Sequence, residues 1–266
     1  PRTGSPYCND LRWGHIWIYD YSDLAAGTKA QFDYDGDLGR YIPGFDEAFP
    51  GSMTTPQGWY PVDYSDETTA VTNADHPFQD GSSLVPKSKV DTIYADAEYQ
   101  LTDTTDMYAE VLLSRRETSV NGYRQFWTYV YNEDFFAGSS LSEGWRGAQW
   151  LSPTPITDHN DDSVEVNYGR ALLGFSGSLG DYSWDISGQY SRSDGDYISD
   201  QIYQDSVQSS WFGTGSCVGT TLDRGVACMD PRWLDAGFNA GILTAEERAF
   251  LFGNEQGNTE YTQWSI

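Results

Sequence analysis

This sequence of 266 residues has no long apolar run and little positive charge. No segment reaches the roughly 18 consecutive apolar residues of a transmembrane helix, although a transmembrane β-barrel would not need one. Only 15 Lys and Arg residues accompany 40 Asp and Glu residues, so the formal net charge is −25. Nucleic acid is therefore not expected as a partner, because contacts to phosphates require clustered basic side chains.

Motifs that indicate catalysis are also missing. The three histidines, His15, His76 and His159, show no HExxH spacing. The sequence contains no GxSxG elbow, no P-loop and no GxGxxG after a strand. A pair of glycosidase carboxylates can be imagined among so many acidic residues, but nothing in the sequence selects one. We therefore predict that the chain is not an enzyme.

Neither end of the sequence has the features of a complete gene product. It starts with PRTGSPYCND, without an initiator Met or a signal peptide, and residues 260–266 fall inside a predicted strand. We interpret the chain as an internal piece of a longer protein. The alternative is a mature secreted protein whose signal has been removed.

Three cysteines are present, and two of them share one Gly-rich stretch. We predict a disulfide between Cys217 and Cys228, which implies an oxidising compartment. Two free thiols are the alternative, and a metal site is disfavoured because no His lies near either residue. Cys8 is left over, and its partner would lie upstream of this sequence.

What the sequence has in abundance is strict alternation of apolar and polar residues, the period of a two-faced β-strand. It is clearest in residues 91–101, DTIYADAEYQL, and recurs in 107–115, 170–179 and 182–191. One predicted face of the first strand holds Ile93, Ala95, Ala97, Tyr99 and Leu101. The other predicted faces hold the polar residues that would line a lumen: Asp96, Glu98, Glu110, Asp185 and Gln189. Four arginines could pair with these groups: Arg115, Arg116, Arg170 and Arg192. In the alternative, the polar residues form the solvent face of an ordinary sheet.

The connections between these strands differ greatly in length. TDTTD and Gly180-Asp181 are short turns, whereas residues of about 35–87, 117–164 and 194–258 form long, polar, aromatic-rich stretches. A β-sandwich would show strands every eight to twelve residues. Short turns at one end and long loops at the other are typical of outer-membrane barrels. We predict an all-β fold: part of an antiparallel transmembrane β-barrel with long extracellular loops and one short loop helix.

Smaller features fit this prediction. Tyr99, Tyr182 and Trp184 lie near turn ends, where an aromatic girdle would meet the membrane surface, although strands are rich in aromatics anyway. Residues 11–21 and 30–34 are further strand candidates. The helix would begin after Thr244, which forms a capping box with Glu247, and would end at Gly253 as its C′ residue.

Two kinds of ligand site can be considered in the loops. Asp33, Asp35 and Asp37 surround a glycine and could hold Ca²⁺, as could the DHNDD run of 158–162, but a solvated acidic turn is the simpler interpretation. We otherwise expect no cofactor. The aromatic residues Trp59, Tyr60, Trp145 and Trp150 are candidate substrate contacts, since aromatic faces stack on sugars and favour binding surfaces. Packing of the loops on themselves is the alternative.

Four segments resemble TonB-dependent outer-membrane receptors. KVDTIYADAEYQLTDTTDMYAEVLLSRRET (89–118) is similar to one of the family's barrel hairpins, with its Y-x-L-T-D turn and x-Y-A-E-x-x-x-S-x-R strand. The other segments are CNDLRWGHIWIYDYSDLAAG with FDYDGDLGRYIP, LLGFSGSLGDYSWDISGQYSRSDGDY, and TAEERAFLFGNEQGNTEYTQWSI. Their order and spacing carry the resemblance across most of the chain.

The resemblance implies a section of a 22-stranded barrel in the outer membrane of a Gram-negative bacterium. The family imports a scarce nutrient such as an iron chelate, a vitamin or an oligosaccharide. The plug domain, the segment that contacts the TonB complex and the C-terminal barrel strands are absent from this sequence. The expected partners are outer-membrane lipid, these remaining segments, the TonB complex through the missing N-terminal region, and a surface lipoprotein over the loops. The rival hypothesis is a secreted, soluble, all-β carbohydrate-binding or surface protein.

Overall fold

A computed structural model of the chain describes residues 16–20, 28–34, 57–62, 77–128, 130–131, 150–209 and 216–266. Most of the described residues lie in antiparallel β-structure, which confirms the all-β class. The strands are β1 Ile16–Asp20, β2 Thr28–Tyr34, β3 Trp59–Val62, β4 Lys87–Thr102, β5 Thr105–Val120, β6 Arg124–Gln125, β7 Val130–Tyr131, β8 Trp150–Pro153, β9 Ile156–Thr157, β10 Asp162–Leu179, β11 Tyr182–Ile202 and β12 Phe252–Ser265. The helices are α1 Pro77–Asp80, α2 Gln204–Ser209, α3 Ala236–Asn239 and α4 Ala245–Leu251.

The chain divides into two compact units, and each contains a five-stranded sheet. The loop unit comprises Pro1–Ser82, Gly122–Asn160 and Gln201–Gly253. The long-strand unit comprises Ser83–Asn121, Asp161–Asp200 and Asn254–Ile266. The alternating segments of the sequence all lie in the long-strand unit.

The sheet of the long-strand unit follows the order β12-β11-β10-β5-β4. Antiparallel registers join β4 to β5, β5 to β10 and β10 to β11. The pairs β4–β5 and β10–β11 are closed by two-residue turns at one end of the sheet, where Gly177 of β10 lies opposite Thr105 of β5. Gly180 adopts φ = +63° in its turn, a conformation that costs glycine little. The connections 121–161 and 203–251 leave from the other end.

The long strands extend further than the sequence predicted. We expected long loops from about 117 and 194, but β5 continues to Val120 and β11 continues to Ile202. β12 likewise begins at Phe252 rather than beyond 258. The apolar alternation fades in these extensions, so the sequence carries no clear strand signal there, although the backbone ladder continues.

The loop unit has a sheet of order β3-β2-β1-β8-β7 and a two-stranded sheet formed by β6 and β9. Ile16, Val130 and Leu151 are almost fully buried in it. The predicted strands 11–21 and 30–34 correspond to β1 and β2, and β3 lies within the stretch of 35–87 that we expected to be irregular. Short strands were missed because their apolar residues are too few to show a period.

The helix predictions were partly wrong. Thr244 caps α4 as expected, and its hydroxyl and the Glu247 carboxylate form both hydrogen bonds of the capping box. The helix does not end at Gly253, however, because Phe252 is already extended (φ −122°, ψ 148°) and starts β12. Four short helices replace the single one predicted, counted within the described ranges. None of these four is long and apolar enough to cross a membrane.

Candidate functional site

One face of the long-strand sheet carries a continuous band of apolar side chains. The registers place successive residues of four strands side by side, and directly opposed residues share a face. Rows of this band run from the turn end towards the loop end: Leu179–Tyr182, Gly177–Trp184, Tyr99–Met107–Phe175–Ile186, Ala97–Ala109–Leu173–Gly188 and Ala95–Val111–Ala171–Tyr190. The band therefore occupies about nine residues of each strand of the β10–β11 hairpin, close to the ~9–11 residues of a transmembrane β-strand.

The side chains of this band are open to the surroundings. Ile93 is 66% exposed and Tyr182 is 80% exposed, and Tyr99, Leu173 and Ile186 are also exposed. Soluble proteins rarely leave a contiguous apolar patch of this kind uncovered. The aromatic rings of Tyr99, Tyr182 and Trp184 lie at the turn end of the band, as the sequence predicted.

The band ends abruptly at a row of charged and polar groups. Beyond Ile93–Leu113–Gly169 comes the row Asp91–Arg115–Asn167–Asp194, followed by Lys89–Glu117–Glu165–Asp196. We call these two rows, together with Arg192, the charged belt. It lies on the same face as the apolar band, towards the long connections. Arg115 bonds Glu165 at 3.0 Å, and Arg192 bonds Asp194 at 2.9 Å.

The opposite face holds all five residues predicted to line a lumen. Asp96 lies opposite Glu110, and Glu98 lies one pleat nearer the turn, opposite Tyr108. Gln189 and Asp185 join the same face through their partners in β10, Leu172 and Ser176. We call this surface the polar face.

Two of the four arginines expected to pair with these groups lie elsewhere. Arg115 and Arg192 belong to the charged belt on the apolar-band face, so that part of the prediction was wrong. Residues two apart in a strand point to the same face, so Arg115 shares the face of Leu113. Arg170 does lie on the polar face, and its Nη2 donates to Glu110 Oε2 at 2.6 Å. Arg116 is also on the polar face, opposite Val90.

A tyrosine–carboxylate bond crosses the polar face from β5 to β11. The Tyr108 hydroxyl lies 2.9 and 3.0 Å from the two carboxylate oxygens of Asp185. Tyr108 reaches Asp185 by lying across Gly174 of the intervening strand. A Cβ at position 174 would fall 2.1 Å from Tyr108 Cζ, closer than any real contact. Gly174 is therefore needed for this bond, a role that the alternating pattern alone did not reveal.

Of the four aromatic residues predicted to contact a substrate, only Trp59 has a described side chain. It is 7% exposed and packs edge to face on Tyr34, with ring centroids 5.5 Å apart, so it presents no free stacking face. Tyr60 and Trp150 are strand residues whose side chains lie outside the described part, and Trp145 lies outside it altogether.

Among the described Trp side chains of the loop unit, Trp127 is exposed, a feature that sequence reasoning missed. Its side chain is 52% exposed, whereas Phe126 before it packs against Trp233 and Phe252, and Thr128 after it is fully buried. Trp127 thus points away from the core on an alternating segment. The alternation of apolar and polar environments over FWT (126–128) is the only sequence feature that could have indicated this exposure, and three residues are too few to establish a period.

The segment 216–253 supplies much of the core of the loop unit, which it shares with Ile16, Val130 and Leu151. Trp233 and Phe238 are buried and meet edge to face at 5.2 Å. The sulfur atoms of Cys217 and Cys228 are bonded, with their Cα atoms 5.7 Å apart. Cys8 lies outside the described residues. Arg224 pairs with Asp205, stacks over the Tyr203 ring at 4.1 Å and donates to the Phe250 carbonyl at 2.6 Å.

A buried carboxylate ties α4 to this core. Glu247 accepts hydrogen bonds from Arg232 Nε and Nη2, both at 2.9 Å, and from the Thr244 backbone N–H at 2.8 Å. Burial alone would raise the pKa of Glu247. The hydrogen bonds from Arg232 and Thr244, together with the Arg232 charge, outweigh burial and lower that pKa below its ordinary value.

Of the two acidic segments considered for Ca²⁺, only residues 158–162 have described side chains. Asp35 and Asp37 lie outside the described residues, as does the side chain of Asp33. Residues 158–162 are described, and Asp158 there pairs with Arg248 at 2.7 Å. Within the described ranges, no group of three or more His, Cys, Asp or Glu side chains is arranged to hold a metal ion.

Comparison of the chain with protein-family models, with curated proteins and with solved structures gave no match.

The close approach of Tyr108 to Gly174 makes a first prediction. Gly174→Ala should push the end of the Tyr108 side chain away, break its bond to Asp185 and lower the free energy of unfolding by about 1 kcal/mol, the net value of one hydrogen bond. Gly188→Ala is the matched control, because a Cβ at position 188 meets only one atom, at 3.9 Å. Guanidinium unfolding of the two variants measures the difference, and equal midpoints would contradict the role given to Gly174.

Glu247 makes a second prediction, on pH. Because its folded pKa is lowered, its stabilisation is complete above about pH 4.5 and is lost as the pH falls through the folded pKa. Glu247→Gln should therefore be less stable than the native chain at pH 7, by about 1–3 kcal/mol, and this difference should shrink in acid. Denaturant unfolding between pH 7 and pH 3 measures it. Glu246→Gln, at the exposed neighbouring position, is the control, and a pH-independent deficit for Glu247→Gln would refute the assignment.

Proposed function

We propose that this chain is part of an outer-membrane β-barrel receptor of the TonB-dependent type, which captures a scarce nutrient at the cell surface and imports it. The observation that carries the proposal is the exposed apolar band on one face of the long-strand sheet. Its height suits the hydrocarbon core, it has aromatic rings at its turn end, and it stops at a charged belt. Lipid is the partner that such a face fits best.

The edges of the sheet support closure by further strands. β4 and β12 are the outermost strands of the sheet, and each has one neighbour among the described residues. An open strand edge is not viable in hydrocarbon, because no water is available for its unpaired N–H and C=O groups. Under the proposal, other strands complete a barrel of the 22-stranded type. The polar face then lines a lumen that holds the plug domain, through which the TonB complex acts.

In the proposed receptor, capture takes place in the loop unit. Its disulfide and the bonds from the exposed Arg232 to the buried Glu247 give it a rigid framework. The strong negative charge of the chain suits substrates that are neutral or cationic, or that are recognised through sugars and aromatic rings. An iron chelate, a vitamin and an oligosaccharide are the substrate classes proposed.

The proposal is tested by the location of the full-length protein and of two arginine variants. Ile186 lies in the middle of the apolar band and Ser187 follows it on the polar face. Arg at a lipid-facing midplane position costs about 2–4 kcal/mol, whereas Arg facing a wet interior is tolerated. Ile186→Arg should therefore reduce the amount of protein assembled in the outer membrane, and Ser187→Arg should change it much less.

Fractionation of the native cells supplies the measurement. The unchanged protein should remain with the outer membrane through a carbonate wash and be released by detergent. Recovery of the unchanged protein in the aqueous phase without detergent would contradict the proposal and favour a secreted, soluble, all-β module. In such a module Ile186→Arg would also be harmless, because position 186 is already exposed to water.

A further inference from the structure

The half of the polar face that lies towards the long connections carries three tyrosines. Tyr94 of β4 lies in the same row as Arg170. Tyr168 of β10 lies one row nearer the long connections, and Tyr197 of β11 lies two rows beyond that. Tyr94 and Tyr197 are exposed, and Tyr168 is half-buried. We call these three residues the tyrosine line.

The tyrosine line runs diagonally across the sheet of the long-strand unit. With strands about 4.8 Å apart and a rise of about 3.4 Å per residue, the Cα atoms of Tyr94 and Tyr168 are about 12 Å apart, and those of Tyr168 and Tyr197 are about 14 Å apart. The whole line is therefore about 25 Å long. A compact ligand can cover one of these rings, whereas an extended ligand can reach all three.

The ring of Tyr197 is supported from below by a glycine of the neighbouring strand. A Cβ at Gly257 of β12 would fall on the ring and hydroxyl of Tyr197, so the ring lies directly over the glycine backbone. The residue is nevertheless exposed, so the ring presents its other side to the surroundings. An aromatic ring held against a sheet in this way offers a flat surface on which a sugar ring can stack.

Hydrogen-bonding groups lie beside the ring of Tyr94. Arg170 Nη2 donates to Glu110 Oε2 at 2.6 Å, and about one third of each side chain is exposed. The remaining N–H groups and carboxylate lone pairs of this ion pair suit adjacent hydroxyl groups of a ligand. The hydroxyls of Thr92 and Ser114, whose oxygens are 3.3 Å apart, follow in the next row.

The charges of this surface favour an uncharged ligand. The four rows from that of Tyr94 to that of Tyr197 contain no carboxylate in β4, β5, β10 or β11, so a cationic ligand finds no counter-charge there. Their two charged residues are Arg170, which Glu110 neutralises, and Arg116.

Anionic ligands are disfavoured by the other half of the polar face. The rows nearer the two-residue turns hold a group of carboxylates that would repel an anion passing along the face. These carboxylates belong to Asp96, Glu98, Asp106 and Asp185.

We propose that the tyrosine line binds neutral oligosaccharides. Successive sugar rings stack on Tyr94, Tyr168 and Tyr197, and their hydroxyl groups bond Arg170 and Glu110. This assigns one of the three substrate classes proposed above to the receptor. The role of the line in import rests on the proposed function, because it requires the polar face to line a lumen, whereas binding of the sugar does not.

Calorimetric titration of the purified full-length protein in detergent tests the substrate class. The ligands are neutral oligosaccharides of the maltose, cellobiose and xylobiose series, from two to six sugar units. At least one series should bind, and its affinity should rise at least about tenfold from two to six units, because the longer chains engage further rings. Acidic fragments of polygalacturonate of equal length should bind at least about tenfold more weakly. Failure of all three neutral series to bind, equal binding of the acidic fragments, or tighter binding of a compact ferric hydroxamate chelate would overturn the proposal.

Two tyrosines of β4 provide a matched pair of variants. Tyr94 and Tyr99 are 55% and 64% exposed and lie on opposite faces of the sheet. Tyr94→Ala should weaken binding of the six-unit sugar at least about fivefold, whereas Tyr94→Phe, which keeps the ring, should weaken it less than about twofold. Tyr99→Ala should leave binding unchanged. Equal losses in Tyr94→Ala and Tyr99→Ala, or no loss in Tyr94→Ala, would overturn the assignment to the tyrosine line.

The inference and the proposed function can fail separately. A protein that is integrated in the membrane but binds none of the neutral oligosaccharides overturns only the tyrosine line as a sugar site. A protein that is recovered in the aqueous phase and binds these sugars through Tyr94 overturns the proposed function and retains the sugar site.

Discussion

The period of two in the long strands is the constraint on which the rest of this structure depends. Each residue step turns a side chain to the other face, so a sequence that alternates over nine residues produces one apolar and one polar surface in the same sheet. The registers bring the alternating segments of four strands into line, from Ala97 of β4 to Gly188 of β11. A shift of one residue in any pairing would place Asp185 or Glu110 among the apolar side chains. Register and the separation of the faces therefore stabilise each other.

The two faces are held by different interactions. The polar face is joined across strands by directional bonds, such as Tyr108–Asp185 and Arg170–Glu110. The apolar band has no such bonds, and its side chains are exposed in the described structure, so its stability depends on what surrounds it. The charged belt marks the edge of the apolar band on the side of the long connections. This combination of a bonded polar face and an open apolar face underlies the membrane proposal.

The loop unit follows another principle. Its short strands and helices do not alternate over long stretches, and it is stabilised by buried groups such as Trp233 and Phe238 and by the bond between Cys217 and Cys228. The Arg232–Glu247 pair fixes the start of α4. A framework of this kind can hold loops of fixed shape, which suits surfaces that must recognise a ligand.

The sequence was sufficient where a local rule determines the structure. Alternation predicted the long strands and the residues of the polar face, and the Thr244–Glu247 spacing predicted the start of α4. It was insufficient where tertiary structure decides. Phe252 is already extended and begins β12, so Gly253 is not the C′ residue of α4. Trp59 is buried against Tyr34 instead of being exposed at the surface.

The arginines of the charged belt show a further limit of sequence reasoning. Arg115 lies on the apolar-band face, like Leu113 two residues before it, whereas its charge alone suggested a place on the polar face. The strand extensions past 117 and 194 were missed because apolar and polar residues no longer alternate regularly there; Tyr197 and Ile198, for example, are adjacent. Barrel closure and substrate class depend on segments and ligands beyond local pattern, and they remain proposals.

The central claim is that lipid covers the apolar band and that the polar face looks into a wet interior. Nitroxide labels placed singly at positions 97 and 96 of the full-length protein test it most directly. Every cysteine other than Cys217 and Cys228 is replaced by Ser, and the protein is reconstituted in lipid bilayers. Ala97 lies on the band and Asp96 lies on the polar face, one residue away. The account predicts that the label at 97 collides mainly with apolar oxygen and the label at 96 mainly with a water-soluble nickel complex. Equal accessibility at both positions, or the reverse order, would contradict it.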